Sequence, residues 1–329
     1  MQFLIYNFFS FIILFFLFIF RNKICTKLKL IDYPNNKSIH NEKALLFGGI
    51  FLISSLCLNV IILFLTNNFQ SNFFNFFNFF LVLSFFLVAL IDDVKDLNPN
   101  LRMILSIIIC TIGVGLDPEL KINSLYFFYN NNIYLNNNFF FSYIFSILCI
   151  LLFLNAFNFI DGINGLASTV GLSIFIYLTM KNPLIFSFYY LFIISILLFL
   201  FINTNYKVFL GDSGNYLISI SISIILLKEN YNQPVLYYAE EIFLLLLIPG
   251  LDMLRLFMVR ILNKSNPFKG DHNHLHHKLF NKFGNLKTIL IYLLILNLPV
   301  YIFFISQDFL YYLILISITT YFILLKYTS

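Results

Sequence analysis

The chain has 329 residues, 60% of them apolar and only 11% charged, with 20 Lys and Arg against 15 Asp and Glu. A soluble chain of this length would carry about 80 charges, so a soluble globular domain, a basic nucleic-acid binder and a disordered chain are all excluded. What remains is an all-α, polytopic integral membrane protein.

Apolar stretches of spanning length fall at about 3–20, 45–66, 73–91, 102–116, 139–156, 165–180, 184–203, 209–227, 239–259, 288–306 and 309–326. These predict 10–11 transmembrane helices in a single membrane-embedded domain over residues 1–329. The first stretch lacks a basic leader and a small-residue cleavage site, so it reads as a retained span. Cys57, Cys110 and Cys149 lie inside apolar runs and read as packing residues.

With the N-terminus outside, the inner loops hold 17 of the 20 Lys and Arg, all five histidines and nine of the fifteen acids. That is a positive-inside pattern. The inner loops near 21–44, 92–101, 156–165, 203–212 and 260–287 are therefore the candidate catalytic segments. On the outer side, Lys121 to Tyr126 alternates and a run of asparagines follows, which predicts a small β-hairpin within 117–138.

Four clusters occupy the inner loops. In the first, Asp92, Asp93 and Asp96 would stack on adjacent turns if the third span continued through them, and like charges so placed repel. A divalent cation with hard oxygen preference would hold them; a solvated helix end with Lys95 as counter-ion is the alternative. The second runs from Asn155 through Asn158, Asp161 and Gly162 to Asn164 and Gly165. It reads either as a ligand loop, its glycines admitting close approach, or as a capped interhelical turn. In the third, Gly211-Asp212-Ser213-Gly214 opens a span, with Asp212 as an N-cap or a metal ligand. The fourth, Asp271-His272-Asn273-His274-Leu275-His276-His277, suits a transition metal or a phosphate equally well.

In this order and on one side of the membrane, the four clusters resemble the polyprenyl-phosphate N-acetylhexosamine-1-phosphate transferases. This family includes the enzymes that begin O-antigen and teichoic-acid synthesis, and is related to the phospho-MurNAc-pentapeptide translocase. The resemblance extends from Asp32 to Leu279. The family's first inner loop is matched by Asp32-Tyr33-Pro34-Asn35 and His40, with Lys37 where an Arg is usual, and by Gly48-Gly49. The DDxxD motif is matched by Asp92, Asp93 and Asp96, with Arg102 following. NxxNxxDGxxGL is matched from Asn155 to Leu166, and GDSG at 211–214. Asp271, His274, His276 and His277 match the last motif, where His272 replaces an Arg.

The resemblance implies transfer of a sugar-1-phosphate from a UDP-N-acetylhexosamine to undecaprenyl phosphate with release of UMP. This would be the first membrane step of a cell-surface glycan such as lipopolysaccharide O-antigen or a cell-wall polymer. It implies Mg²⁺ or Mn²⁺ held by Asp212 with Asn164, and Asp92, Asp93 and Asp96 positioning or deprotonating the acceptor phosphate. Asn155, Asn158 and Asp161 would line the nucleotide site, with Phe209 stacking on uracil. His274, His276 and His277 would hold the pyrophosphate or sugar with Arg255 or Arg260, and Lys37 and His40 would also contact substrate. The implied setting is a bacterial inner membrane with the site facing the cytoplasm, compatible with a homodimer and without nucleic acid. The rival reading is a divalent-cation transporter using membrane acids and the His-rich loop; transporter sites tend to lie at the bilayer midplane, whereas these acids gather at span ends.

Overall fold

A computed structural model describes residues 2–34, 42–66, 76–129, 132–135, 138–232, 237–264 and 273–328. Lys37, His40, Asp271 and His272 lie outside the described residues. The first apolar stretch forms α1 (Gln2–Ile19), and the basic segment after it forms α2 (Arg21–Leu28), bent from α1 by 63°. Two short strands, β1 (Ile31–Asp32) and β2 (Ala44–Leu46), precede α3 (Gly48–Leu65), α4 (Phe76–Lys95) and α5 (Pro99–Leu116). Asn98 caps α5, its Oδ1 accepting from the Asn100 N–H at 3.0 Å, and Pro99 stands at the first helical position, where its missing N–H costs nothing. Asn182 and Pro183 repeat this device between α7 (Leu166–Lys181) and α8 (Pro183–Asn205).

Between α5 and α6 (Phe139–Asn158) lies the expected hairpin, β3 (Ser124–Leu125) antiparallel to β4 (Ile133–Tyr134). After α8 come β5 (Val208–Phe209), α9 (Gly211–Asn232), α10 (Ala239–Leu262), α11 (Leu275–Phe283), α12 (Asn285–Ile305) and α13 (Leu310–Tyr327). A second sheet, absent from the all-α expectation, joins loops far apart in sequence. β2 pairs antiparallel with β1 and parallel with β5, with Ile31 opposite Leu45 and Leu45 opposite Val208.

Each of the eleven expected apolar stretches falls on one helix. Among the described residues, eight helices are long and apolar enough to cross a membrane, or nine if the bent pair α1–α2 is one span. α7, at 16 residues, is short. α9 is long enough but carries Ser213, Ser219, Ser221 and Ser223, all buried against protein. It is the central helix, enclosed by α3, α4, α6 and α7, and small residues let neighbouring helices approach it closely. At Gly171 of α7 an added Cβ would lie 2.5 Å from Ile218 of α9.

Candidate active site

α4 carries Asp92 and Asp93 in its last turn and ends at Lys95. Asp96 is in the left-handed region (φ 48°) and exposed, outside the helix. The expected stacking of three carboxylates therefore does not form: Asp96 leaves the helix axis, and only Asp92 and Asp93 reach their neighbours.

Consecutive helical residues point about 100° apart, and these two acids face different elements. Asp93 crosses to the start of α9. Its Oδ1 accepts from the Asp212 N–H at 2.8 Å, and its Oδ2 accepts from the Ser213 N–H at 3.1 Å and the Ser213 hydroxyl at 2.5 Å. It satisfies the N–H groups that a helix start leaves unpaired, and its charge complements the positive end of the α9 dipole. Gly211 makes this approach fit: φ is 74°, and an added Cβ would lie 2.9 Å from the Asp93 carboxylate. Asp212 itself is thus not the cap. It stands in the first turn with its carboxylate turned to Arg102. The glycine pair at the start of α3 seats on the same loop, the Gly49 N–H donating to the Leu210 carbonyl at 3.1 Å.

Asp92 faces α5. Its Oδ1 accepts from the Leu97 N–H at 2.7 Å. The Arg102 Nη1 donates to Asp92 Oδ2 at 2.6 Å and to Asp212 Oδ2 at 2.9 Å. One guanidinium thus bridges the DDxxD and GDSG motifs.

The turn after α6 supplies a fourth carboxylate. Removal from water pushes the Asp161 carboxyl up to about 7, and the charge of nearby Asp93 pushes the same way. The Asn158 Oδ1 accepts from the Asn215 amide of α9 at 3.0 Å, tying this turn to the GDSG helix. The Asn155 amide donates back to the Leu151 carbonyl at 2.7 Å, and the residue lines a small cavity with Arg102 and Tyr216. Asn164 is exposed in the same turn, its backbone carbonyl accepting from Asn285 at 3.3 Å. Phe209 is half-buried, ending β5 two residues before Gly211.

The histidine segment folds onto that turn. An added Cβ on Gly162 would lie 2.6 Å from the His277 ring, so only glycine admits the packing seen here. His274, His276 and His277 are buried rather than forming a surface run. The rings of His276 and His277 lie 4.2 Å apart, and His274 lies 5.3 Å from Phe159. His274 Nδ1 is 2.8 Å from Asp252 Oδ2, an arrangement that orients the imidazole and presents its Nε2.

Asp252 lies well inside α10 rather than at its end. It also takes bonds from Arg255 (2.9 Å) and the Tyr321 hydroxyl (2.8 Å). Arg255 donates further to Tyr321 (2.8 Å) and to the Asn273 carbonyl (2.7 Å). Arg255 is therefore part of a clamp that fixes the histidine segment to α10 and α13. Arg260 is buried, its guanidinium 5.8 Å from the Phe159 ring. Asp252, His274 and His276 bring potential ligand atoms within 4.8 Å of one another. The Arg255 cation already occupies that carboxylate, which favours the clamp over a metal there.

Sequence reasoning gave Arg102 no role and did not single out Ser213, Asp252 or Tyr321. For Arg102 the available signal was its position just inside the helix that follows DDxxD. Tyr321 sits in an apolar span and carried no signal.

Residues 75–230 match the model of glycosyl transferase family 4. A probable undecaprenyl-phosphate N-acetylglucosaminyl 1-phosphate transferase of Bacillus subtilis is 26% identical over 280 residues, covering 83% of this chain and 76% of the relative. The undecaprenyl-phosphate α-N-acetylglucosaminyl 1-phosphate transferase of Yersinia pestis is 27% identical over 273 residues, covering 80% and 72%. That of Escherichia coli K12 is 25% identical over 270 residues, covering 78% and 71%. The match from α4 through α9, just under half of the chain, takes in Asp92, Asp93, Arg102, Asp161 and Asp212, and over this segment the chain is similar to glycosyl transferase family 4.

Proposed function

We propose that the protein transfers a sugar-1-phosphate from a UDP-N-acetylhexosamine to undecaprenyl phosphate, releasing UMP, as the first membrane step of a cell-surface glycan. The observation that carries this reading is that Arg102 joins Asp92 to Asp212 while Asp93 holds the start of α9 and Asp161 lies near Asp93, all at one end of the helix bundle. In the reaction, an oxygen of the acceptor phosphate attacks the sugar-bearing phosphorus of the donor. The new P–O bond makes a lipid diphosphosugar, and the bond to the uridylyl phosphate breaks, its electron pair leaving with UMP.

Both substrates are polyanions, so the site needs positive charge more than it needs a base. A phosphate monoester has its second pKa near 6 and is largely dianionic at neutral pH. The donor set suits a hard cation: the Asp212 carboxylate stands in the first turn of α9 beside Asp93, with Arg102 bonded to it, and Asp161 lies near enough to Asp93 to feel its charge. Asp212 would hold Mg²⁺ or Mn²⁺, with Asp161 and Asn164 as further oxygen donors. When bound, the ion supplies charge neutralisation at the donor pyrophosphate and the departing UMP.

The remaining roles belong to the chain. Asp93 fixes the α9 start, and hence Asp212, through three hydrogen bonds. Asp92 fixes Arg102, which is placed to meet a phosphate. Phe209 offers an aromatic face to uracil, and Asn155 and Asn158 shape the nucleotide side. His274, His276, His277 and Arg260 hold the pyrophosphate or sugar, while Arg255 positions His274 through Asp252. Lys37, His40 and Asp96 complete the substrate loops. The acceptor's isoprenoid tail lies along the spans while its phosphate reaches this end. The positive-inside charge pattern sets that end toward the cytoplasm of a bacterial inner membrane, with eleven spans counting α7 and α9, and a homodimer is consistent with this arrangement. The family match and the named relatives favour transfer over cation transport.

A panel of radiolabelled UDP-GlcNAc, UDP-GalNAc and related donors, given to purified enzyme with undecaprenyl phosphate, tests the reading. A butanol-extractable labelled diphosphosugar is expected with at least one donor and only with a divalent cation. Label that never enters lipid, or turnover undiminished in excess chelator, contradicts it.

A further inference from the structure

A second cavity, of about 540 Å³, opens beside the catalytic end between α2, the end of α8 and the three-stranded sheet. Its floor is a single cross-strand row: Ile31 of β1 pairs with Leu45 of β2, and Leu45 with Val208 of β5. Successive strand residues point to opposite faces, so Phe209, next to Val208, faces away from this cavity. The two cavities share no lining residue.

The rim is cationic. Arg21, Lys43 and Lys207 line it, with Thr26 and Tyr206 between them. Lys207 also pairs with Glu42, and both of these side chains are about two-thirds exposed at the edge. The Arg21 guanidinium lies 4.3 Å from the Phe18 ring and 4.8 Å from the Tyr206 ring. Its Nη1 donates to the Phe18 carbonyl at 2.9 Å, which pins the α1–α2 bend against the end of α8.

That bend marks a boundary in the sequence. α1 carries no charge, whereas α2 holds Arg21, Lys23 and Lys27 and no acid, and Lys29 caps it. A bent basic helix directly after an apolar span lies where the hydrocarbon ends and the headgroups begin. Basic pockets at this depth attract anionic lipid headgroups. An apolar floor within a cationic rim, open toward the membrane surface, matches the glycerol and phosphate of a phospholipid rather than a soluble ion, which would gain nothing from Ile31, Leu45 and Val208.

We propose that the cavity beneath α2 is a binding site for the headgroup of an anionic phospholipid, with Arg21, Lys43 and Lys207 around its phosphate and the Ile31–Leu45–Val208 row beneath its glycerol. The site is separate from the transferase centre and does not depend on that assignment. Because β5 runs directly into Gly211 and Asp212, an occupied cavity also braces the strand that carries the catalytic loop.

Delipidated full-length protein in neutral detergent, titrated with phosphatidylglycerol or phosphatidylcholine and read by native mass spectrometry, tests this. One phosphatidylglycerol is expected to be retained about tenfold or more over phosphatidylcholine. Each basic residue near an anionic surface contributes about fivefold in affinity, so the Arg21→Gln/Lys43→Gln/Lys207→Gln variant should lose the preference. Thr26→Trp fills the groove and leaves every charge in place, and it should lose the preference too, which guards against a triple variant that fails to fold. Lys264→Gln with Lys287→Gln, exposed bases elsewhere, should retain it. Equal retention of the two lipids overturns the proposal, as does a preference that survives Thr26→Trp. Displacement of phosphatidylglycerol by glycerol-3-phosphate or inorganic phosphate would make this a soluble-phosphate site and overturn the lipid assignment.

Discussion

The two ends of the helix bundle both bury charge, and they do it differently. α5 leads away from the candidate site and α6 returns to it, so the hairpin and the far end of α9 lie together at the opposite end. There, acids meet bases. Lys228, almost fully buried, lies 2.8 Å from Glu119 and 3.6 Å from Asp117, and Lys181 lies 2.9 Å from Glu241, which also accepts from the Tyr177 hydroxyl. At the site end, Asp92 and Asp212 share Arg102, while Asp93 takes its hydrogen bonds from the start of α9 and Asp161 lies near Asp93. Acids paired with buried lysines hold helices together, whereas carboxylates crowded beside one another favour the arrival of positive charge. This difference is what the proposed cation and polyanionic substrates would act on.

The sharpest way to break this contrast is Asp212→Asn. It removes the proposed ligand charge while keeping the side-chain size, and transfer should fall about 10³-fold, the upper cost of losing one key electrostatic group. The melting temperature should hold or rise, since a buried repulsion is relieved. Near wild-type turnover would remove Asp212 from the centre of the site. Arg102→Gln comes next, with an expected loss of about 10²-fold in rate. Its melting temperature should respond more steeply to Mg²⁺ than the wild type's, because the ion then has to take over the neutralisation of Asp92 and Asp212. An unchanged Mg²⁺ response would show that the arginine and the ion act independently.

Lys228→Met probes the balanced end and should give the opposite pattern. Stripping one partner from a buried ion pair costs about 3 kcal/mol, so the melting temperature should drop while turnover per folded molecule is kept. A selective loss of activity would mean that the far end is not merely structural. The last test concerns pH. The Asp161 carboxyl rises from an ordinary 3.8 to about 7 in the folded protein. Between about pH 4 and pH 7 the folded state keeps a proton that the unfolded chain has released, so stability without divalent ions should decline as pH rises through that window and level off above it. Mg²⁺ should flatten the decline by neutralising the charged carboxylate, and a decline of equal size with Mg²⁺ present would separate Asp161 from the ion.

Much of this arrangement was legible in the sequence because charge is scarce in a chain that is 60% apolar. Few acids are needed to keep it in contact with water, so those that remain at span ends stand out, and hydrogen bonds do link Asp92 and Asp93 to the GDSG segment. Asp96 was drawn into the cluster by helical spacing and by the DDxxD pattern, and the spacing assumes an unbroken helix, whereas α4 ends before it. The sheet was invisible because strands of two or three residues are too short to show alternation. α2 was hidden because eight residues, three of them basic, do not develop a helical apolar period, whereas α11 carries one in Leu275, Leu279 and Phe283 but is only nine residues long and sits in a charged loop. Arg255 carried the right charge for a pyrophosphate ligand, but its commitment to Asp252 and Tyr321 depends on α10 and α13 meeting, a contact between residues 66 positions apart.

The nucleotide released is the most direct test of the central claim. Purified enzyme would be incubated with the preferred UDP-N-acetylhexosamine, undecaprenyl phosphate and Mg²⁺, and the nucleotide and lipid products resolved together. The account predicts UMP in one-to-one ratio with a lipid diphosphosugar, both absent when the acceptor is omitted. Release of UDP with a lipid monophosphosugar would mean that the sugar alone is transferred, and would contradict it.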